Sequence, residues 1–267
     1  MLAKDLRVTL DYLGENTHSE AEALAAKATY LQMLDRIAGV PAVRDYALGT
    51  EKEPLNISIK LTQCGLDQGA AFAEANYREV VRKAAESRNF VRIDMEGSAY
   101  TAQTIEIVER VLRDHPNTGT VLQSYLHRTD EDVERMIGLG ARVRLVKGAY
   151  LEPELVAITD KAKVDEAFVR QGKRLLDAGT YPALATHDEA AIREFNAHTE
   201  REGIAKDRFE YQMLYGIRRD LQDSLRKSGY NVRVYVPFGD AWYPYFTRRL
   251  AERPANALFI LRSLFKG

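Results

Sequence analysis

In the run VYVPFGDAWYPYFTRRLAE, Arg248 and Arg249 are adjacent, and Glu252 follows them at i+4 and i+3. On a helix that spacing brings the carboxylate against a guanidinium, and two braced forks make a strong clamp for a carboxylate or a phosphate. A solvated charged face is the plainer alternative. Trp242, Tyr243, Tyr245 and Phe246 flank the pair and Tyr235 lies upstream, so the arginines would sit against an apolar and phenolic wall. Both readings stand on the residues alone. Lys60, in ISIKLT, has three candidate roles: a Schiff-base amine, a cation for a substrate carboxylate, or the structural partner of Asp94 in RIDMEGS. A lysine inside a barrel is rarely inert, because burying it unpaired is costly. In RLVKGAY, Arg144 puts a cation at a strand end, ahead of a Lys147–Gly148–Ala149 turn whose backbone can approach a ligand closely. His187, in ATHD, either meets a ligand or satisfies its own loop. Asp94 and Glu96 could bind a metal only if the strand ran past Met95, with His187 the sole nearby imidazole, and no metal is expected. Cys64 reads as a buried structural thiol.

Groups so far apart in sequence can converge only on elements that share an end. Eight short β-branched runs, at 8–13, 56–61, 90–95, 119–125, 142–148, 182–187, 209–215 and 231–238, alternate with segments of helical periodicity such as 19–39 and 68–88. That alternation predicts βα units around a parallel sheet, and eight of them predict a closed (β/α)8 barrel of TIM type. An open doubly wound sheet is disfavoured, since no GxGxxG turn follows the first run. Within the runs Ile57, Ile59 and Leu61 alternate with Ser58 and Lys60, and Val91, Ile93 and Met95 with Arg92 and Asp94. If the apolar side packs on the helices, Lys60, Asp94, Arg144 and Tyr235 point toward the barrel axis near the carboxyl ends, where barrel active sites form. Gln123, Tyr125, Thr186, His187 and Gln212 reach the same rim. Two helical segments follow the last run, 240–252 and 255–265; the second closes the outer ring and the first is free to lie near the mouth.

The chain has 267 residues, a usual size for one large barrel, so a single domain over 1–267 is expected. Lys and Arg total 38 against 39 Asp and Glu, a net charge of −1, which argues against nucleic acid as a partner. One cysteine excludes an intrachain disulfide framework and fits a reducing, cytoplasmic setting. No stretch approaches the roughly 18 to 20 apolar residues a spanning helix requires, which leaves only peripheral membrane contact.

Together ISIKLT, RIDMEGS, RLVKGAY, ATHDEA, EYQML and above all VYVPFGDAWYPYFTRRLAE resemble the proline dehydrogenase family in its short monofunctional form, in order along nearly the whole chain. The resemblance implies a distorted (β/α)8 barrel with FAD bound noncovalently at the carboxyl ends of the strands and the eighth helix over the mouth. It implies that Arg248, Arg249 and Lys60 hold the proline carboxylate, that Glu252 braces the arginines, and that Tyr150, Tyr235 and Tyr245 pack round the ring. Asp94 and Arg144 match active-site groups, Arg144 lying near flavin N5. Met95, Gln123, Val146, Lys147, Gly148, Ala149, Thr186 and His187 match FAD-contacting positions, and Gln212 on the same rim joins them. Glu15, in LDYLGE, matches an acid that pairs with the first arginine of the clamp.

The implied reaction moves a hydride from C5 of L-proline to flavin N5, giving Δ1-pyrroline-5-carboxylate, and a membrane quinone then takes the electrons. A separate pyrroline-5-carboxylate dehydrogenase would act downstream. Family members of this form carry helices before the first strand, whereas Val8 here is preceded by only seven residues, so a missing amino-terminal helical arm is expected. Two other readings of the residues remain: a Schiff-base aldolase or lyase using Lys60 or Lys147, and a flavin-free binding module.

Overall fold

Apolar and polar residues alternate along the strands, so each strand has one face that must be covered and one that must find polar partners. The computed structural model, which describes residues 1–14, 17–46 and 53–240, meets this demand by rolling the sheet into a barrel. Its strands are β1 (Arg7–Tyr12), β2 (Leu55–Ile59), β3 (Val91–Ile93), β4 (Thr118–Gln123), β5 (Arg142–Val146), β6 (Ala183–Ala185), β7 (Glu210–Leu214) and β8 (Asn231–Phe238). Each runs parallel to the next, and β8 pairs with β1, setting Tyr235 beside Thr9 and closing the ring. The expected barrel is therefore present.

The covering helices are α1 (Glu20–Ala38), the short α2 (Pro41–Arg44), α3 (Ala70–Glu86), α4 (Ser98–Asp114), α5 (Thr129–Gly138), α6 (Lys161–Ala178), α7 (Glu189–Arg201) and α8 (Arg219–Lys227). Three start at side-chain caps: the Ser19 hydroxyl accepts from the Glu22 N–H, Asp160 from Ala162 and Lys163, and Asp188 from Ala190. The helices lie over Ile57, Ile59, Val91 and Ile93 on one side of the ring and Val143, Leu145, Leu184 and Val232 on the other. The segments 240–252 and 255–265 lie almost wholly outside the described residues, as does the helix expected over the mouth.

Several strands are shorter than their β-branched runs. The run 90–95 keeps only three residues in β3, and 182–187 only three in β6. The residues beyond serve the mouth instead: the Asp94 N–H still reaches Ile59 O at 2.8 Å, and His187 turns to cap β7.

Inside the ring the filling is ionic. Glu53, just ahead of β2, takes both terminal nitrogens of Arg142 at 3.0 Å, and Arg233 donates to Glu210 at 2.8 Å and Glu53 at 3.3 Å. All four are buried. Arg142 also lies over the Phe90 ring at 3.9 Å. Gly119 makes room for this floor, since a Cβ there would come within 2.1 Å of the Arg142 carbonyl oxygen.

Candidate active site

Above that floor, inward positions of β2, β3, β5 and β8 converge at the carboxyl end. The Asp94 carboxylate is the hub. Arg144 donates to its Oδ1, the Tyr235 hydroxyl to its Oδ2 at 2.6 Å, and Lys60 Nζ stands 3.6 Å from the same oxygen. Arg144 also lies over the Tyr235 ring, 4.9 Å from its centroid. Burial pushes the Asp94 carboxyl upward, but the Arg144 and Lys60 cations overcome it and hold it below the usual carboxylate range. Burial likewise opposes the Arg144 charge, and Asp94 more than restores it. The mouth therefore keeps a carboxylate and a guanidinium charged with little water around them, where their fields are strong.

Lys60 differs from expectation in its partner. Its closest described carboxylate is Asp11, at 2.7 Å, and not Asp94. Asp94 is engaged by Arg144 through Nη2 and by the Tyr235 hydroxyl, which leaves Lys60 the longer contact of 3.6 Å. Asp11 is fully buried on β1 and was missed in the sequence. Its signal was present: Thr9 and Asp11 are the polar positions of a run whose other members are Val8, Leu10, Tyr12 and Leu13.

Gln212 lies lower than the rim. It pairs in register with Arg233, two residues short of Tyr235, and is buried. Its amide donates to Glu210 at 2.6 Å, which turns its oxygen toward Arg144 Nη1 at 3.4 Å. It joins the ionic floor to the mouth.

The side chain of Lys147 turns away from the axis, between Asp165 of α6 at 2.6 Å and Asp188 at 2.7 Å. The amine is occupied by these two carboxylates. In the same turn Gly148 sits at φ 117°, and a Cβ there would meet the Tyr125 ring at 2.3 Å. Val146, Ala149 and Tyr150 are half-buried beside it. His187 accepts the Leu214 N–H on Nε2 at 3.0 Å, so this nitrogen satisfies the end of β7. The Thr186 hydroxyl accepts the Asp188 N–H at 3.0 Å. Met95 and Gln123 are buried, and Gln123 Oε1 has no hydrogen-bond partner among the described residues.

Glu96 faces away from Asp94, accepting from the N–H of Thr62 at 3.2 Å and from its hydroxyl at 2.5 Å. No group of three His, Cys, Asp or Glu among the described residues could hold a metal. Cys64 is buried, and burial pushes its thiol up to about 12. We expect it to stay unlabelled by a thiol reagent at pH 8 in the folded protein and to react once unfolded; prompt native labelling would contradict the burial. Glu15, Tyr245, Arg248, Arg249 and Glu252 lie outside the described residues.

No helix among the described residues is long and apolar enough to cross a membrane. The family model for proline dehydrogenase matches residues 2–262. Proline dehydrogenase 2 of Bacillus subtilis (strain 168) is 38% identical over 264 residues, 99% of this chain and 84% of the relative. The proline dehydrogenase of Deinococcus radiodurans is 40% identical over 263 residues, 97% of this chain and 81% of that protein. Among solved structures, proline utilization A from Bdellovibrio bacteriovorus, inactivated by N-propargylglycine, superposes with a TM-score of 0.84 at 27% identity. That match takes in 93% of this chain and 30% of the longer polypeptide. With a closed eight-stranded barrel, an Asp94–Arg144–Tyr235 cluster at its carboxyl end and this similarity along nearly its whole length, the chain belongs to the proline dehydrogenase family of oxidoreductases.

Proposed function

We propose that the chain is a single catalytic barrel that binds FAD noncovalently at its carboxyl-end mouth and oxidises L-proline to Δ1-pyrroline-5-carboxylate. The observation that carries this reading is the buried Lys60–Asp94–Arg144 charge cluster with the Tyr235 hydroxyl on it, in which Arg144 is fixed by Asp94. The mouth suits a flavin. Gln123 Oε1 is a buried acceptor that a ring N–H could satisfy. The turn at Gly148, drawn tight against Tyr125, exposes backbone where a planar group needs close approach. Gln123, Arg144, the turn 146–149, Met95, Thr186 and the backbone near His187 would hold the cofactor. When bound, FAD supplies a two-electron acceptor at N5 for a hydride from proline C5.

The protein's own groups then bind and orient. Lys60 with Arg248 and Arg249 holds the proline carboxylate, Glu252 braces the arginines, and Glu15 pairs with the first of them. Tyr150, Tyr235 and Tyr245 enclose the saturated ring and exclude water, so that C5 is presented in one pose. Tyr235 is itself oriented by its 2.6 Å bond to Asp94. Arg144 contributes a permanent cation that stabilises negative charge developing at the mouth. The electrons pass on to a quinone during peripheral contact with the inner face of a membrane, and the product leaves for a separate pyrroline-5-carboxylate dehydrogenase. The Schiff-base alternative loses ground because Lys147 and Lys60 are both engaged by carboxylates.

The visible spectrum of the purified protein, before and after anaerobic addition of L-proline, tests the reading. A flavin spectrum that bleaches supports it, and a colourless protein that stays inert after FAD is added overturns it. Arg248→Met and Arg249→Met are each expected to raise KM for proline at least tenfold with FAD retained, since one charge-assisted bidentate contact contributes about 1.5–3 kcal/mol. An unchanged KM in both variants removes the clamp assignment.

A further inference from the structure

Lysine is a poor receptor for a small carboxylate unless something holds it. Its ammonium rides on a flexible four-carbon stem with much rotamer freedom to lose, and a binding group that wanders gives up the advantage of a prepared site. Lys60 is held. It follows β2, the strand between β1 and β3, and carboxylates approach its Nζ from both sides: Asp11 at 2.7 Å and Asp94 at 3.6 Å.

The two acids are not equivalent. Asp94 is committed to the Arg144 guanidinium and the Tyr235 hydroxyl. Asp11 makes its described side-chain hydrogen bond to Lys60. It has no exposed surface, so it cannot touch a ligand, while Lys60 keeps 7% of its side chain open. Burial pushes the Asp11 carboxyl up and Asp94 adds to the rise, so it stays above its ordinary range although the Lys60 ammonium pulls it down.

From this geometry we infer that Asp11 is a positioning residue for substrate binding: it anchors the Lys60 ammonium from beneath, facing the mouth, so that it can read the carboxylate of the incoming imino acid. The inference rests on the proposed role of Lys60 in carboxylate binding. Without the Asp11 charge, Lys60 is free to swing onto Asp94, 3.6 Å away, and the carboxylate receptor is lost while Arg144 and the aromatic wall remain.

A double-mutant cycle on the flavin-loaded enzyme tests it, with Asp11→Asn, Lys60→Met and the pair of them together. The readouts are KM and kcat for proline, the inhibition constant of cyclopentanecarboxylate as an amine-free isostere, flavin absorbance and Tm. If Asp11 acts through Lys60, Asp11→Asn raises KM and the inhibition constant at least tenfold and leaves kcat within about threefold. The double variant is then no worse than Lys60→Met alone, since two residues acting through one interaction are not additive.

Four results overturn it. A KM within twofold of the parent in Asp11→Asn removes the anchor. A double variant whose KM change equals the product of the two single changes shows that Asp11 acts elsewhere. An Asp11→Asn protein that sheds its flavin or fails to fold, while Lys60→Met does neither, assigns Asp11 to the scaffold. If Lys60→Met itself leaves KM unchanged, it is the carboxylate-binding role of Lys60 that falls, and the inference falls with it.

Discussion

Arg144→Met is expected to slow hydride removal from proline by about two to three orders of magnitude, the usual effect of deleting one preorganised group that stabilises developing charge. Three features of Arg144 make the effect large. It is buried, its guanidinium is held by Asp94 through Nη2, and its other terminal nitrogen, Nη1, is steadied by Ser58 and Gln212 at 3.4 Å each. The cation is therefore in place before substrate arrives and needs no reorganisation. Arg144→Lys should recover only part of the rate, because a point charge cannot span Asp94 and the mouth as a planar fork does. Anaerobic stopped-flow measurement of flavin bleaching by proline checks both variants. Parental bleaching rates in Arg144→Met, at full flavin occupancy, would refute the role.

Arg233→Met is the variant with the largest expected cost to folding. Removing one member of a buried ion pair leaves the other charge without compensation, and such losses run to about 3–5 kcal/mol. Here two carboxylates, Glu210 and Glu53, would be deprived at once, both fully buried beneath the mouth. For a protein of this size that corresponds to a fall in Tm of about 6–20 °C, read by calorimetry or circular dichroism; a shift below about 2 °C would show that water or Arg142 replaces the lost contact.

The same floor sets an acid limit. Burial alone would raise the Glu210 carboxyl, but Arg233 and Arg142 lower it from its ordinary 4.5 to about 2. A carboxyl depressed in the folded state stabilises fully above its unfolded value, so the contribution is intact above pH 4.5 and is lost as pH falls toward 2. Glu53, lowered by Arg142 and Arg233 against its own burial, acts in the same direction. Denaturant midpoints measured between pH 6 and pH 3 should fall in the parent and fall less in Arg233→Met, where these carboxyls have lost that partner.

Much of this architecture is legible along the chain because strand and helix periodicities are local properties. Alternation of period two assigns each strand residue to the helix side or the barrel side without knowledge of its neighbours. For that reason Lys60, Asp94, Arg144 and Tyr235, spread over 176 positions, can be expected at one end of the same barrel. Helix starts are local in the same way: Ser19, Asp160 and Asp188 each bond to the turn that follows them.

Face, however, is not partner. Periodicity says that Lys60 and Asp11 both point inward; it does not say that they meet across 49 residues, or that Arg142 reaches back 89 residues to Glu53. Nor does RLVKGAY reveal that Lys147 turns outward to Asp165 and Asp188 while its neighbour Arg144 turns in. Those choices depend on register, on closure of β8 against β1, and on which carboxylates the helices bring near. The sequence by itself thus determined the barrel, the end at which its polar side chains gather, and the family the chain resembles. Only the tertiary structure decided that Asp94 belongs to Arg144 and Asp11 to Lys60, because in a dry interior each charge takes the partner whose geometry repays its desolvation, and that geometry exists only once the ring has closed.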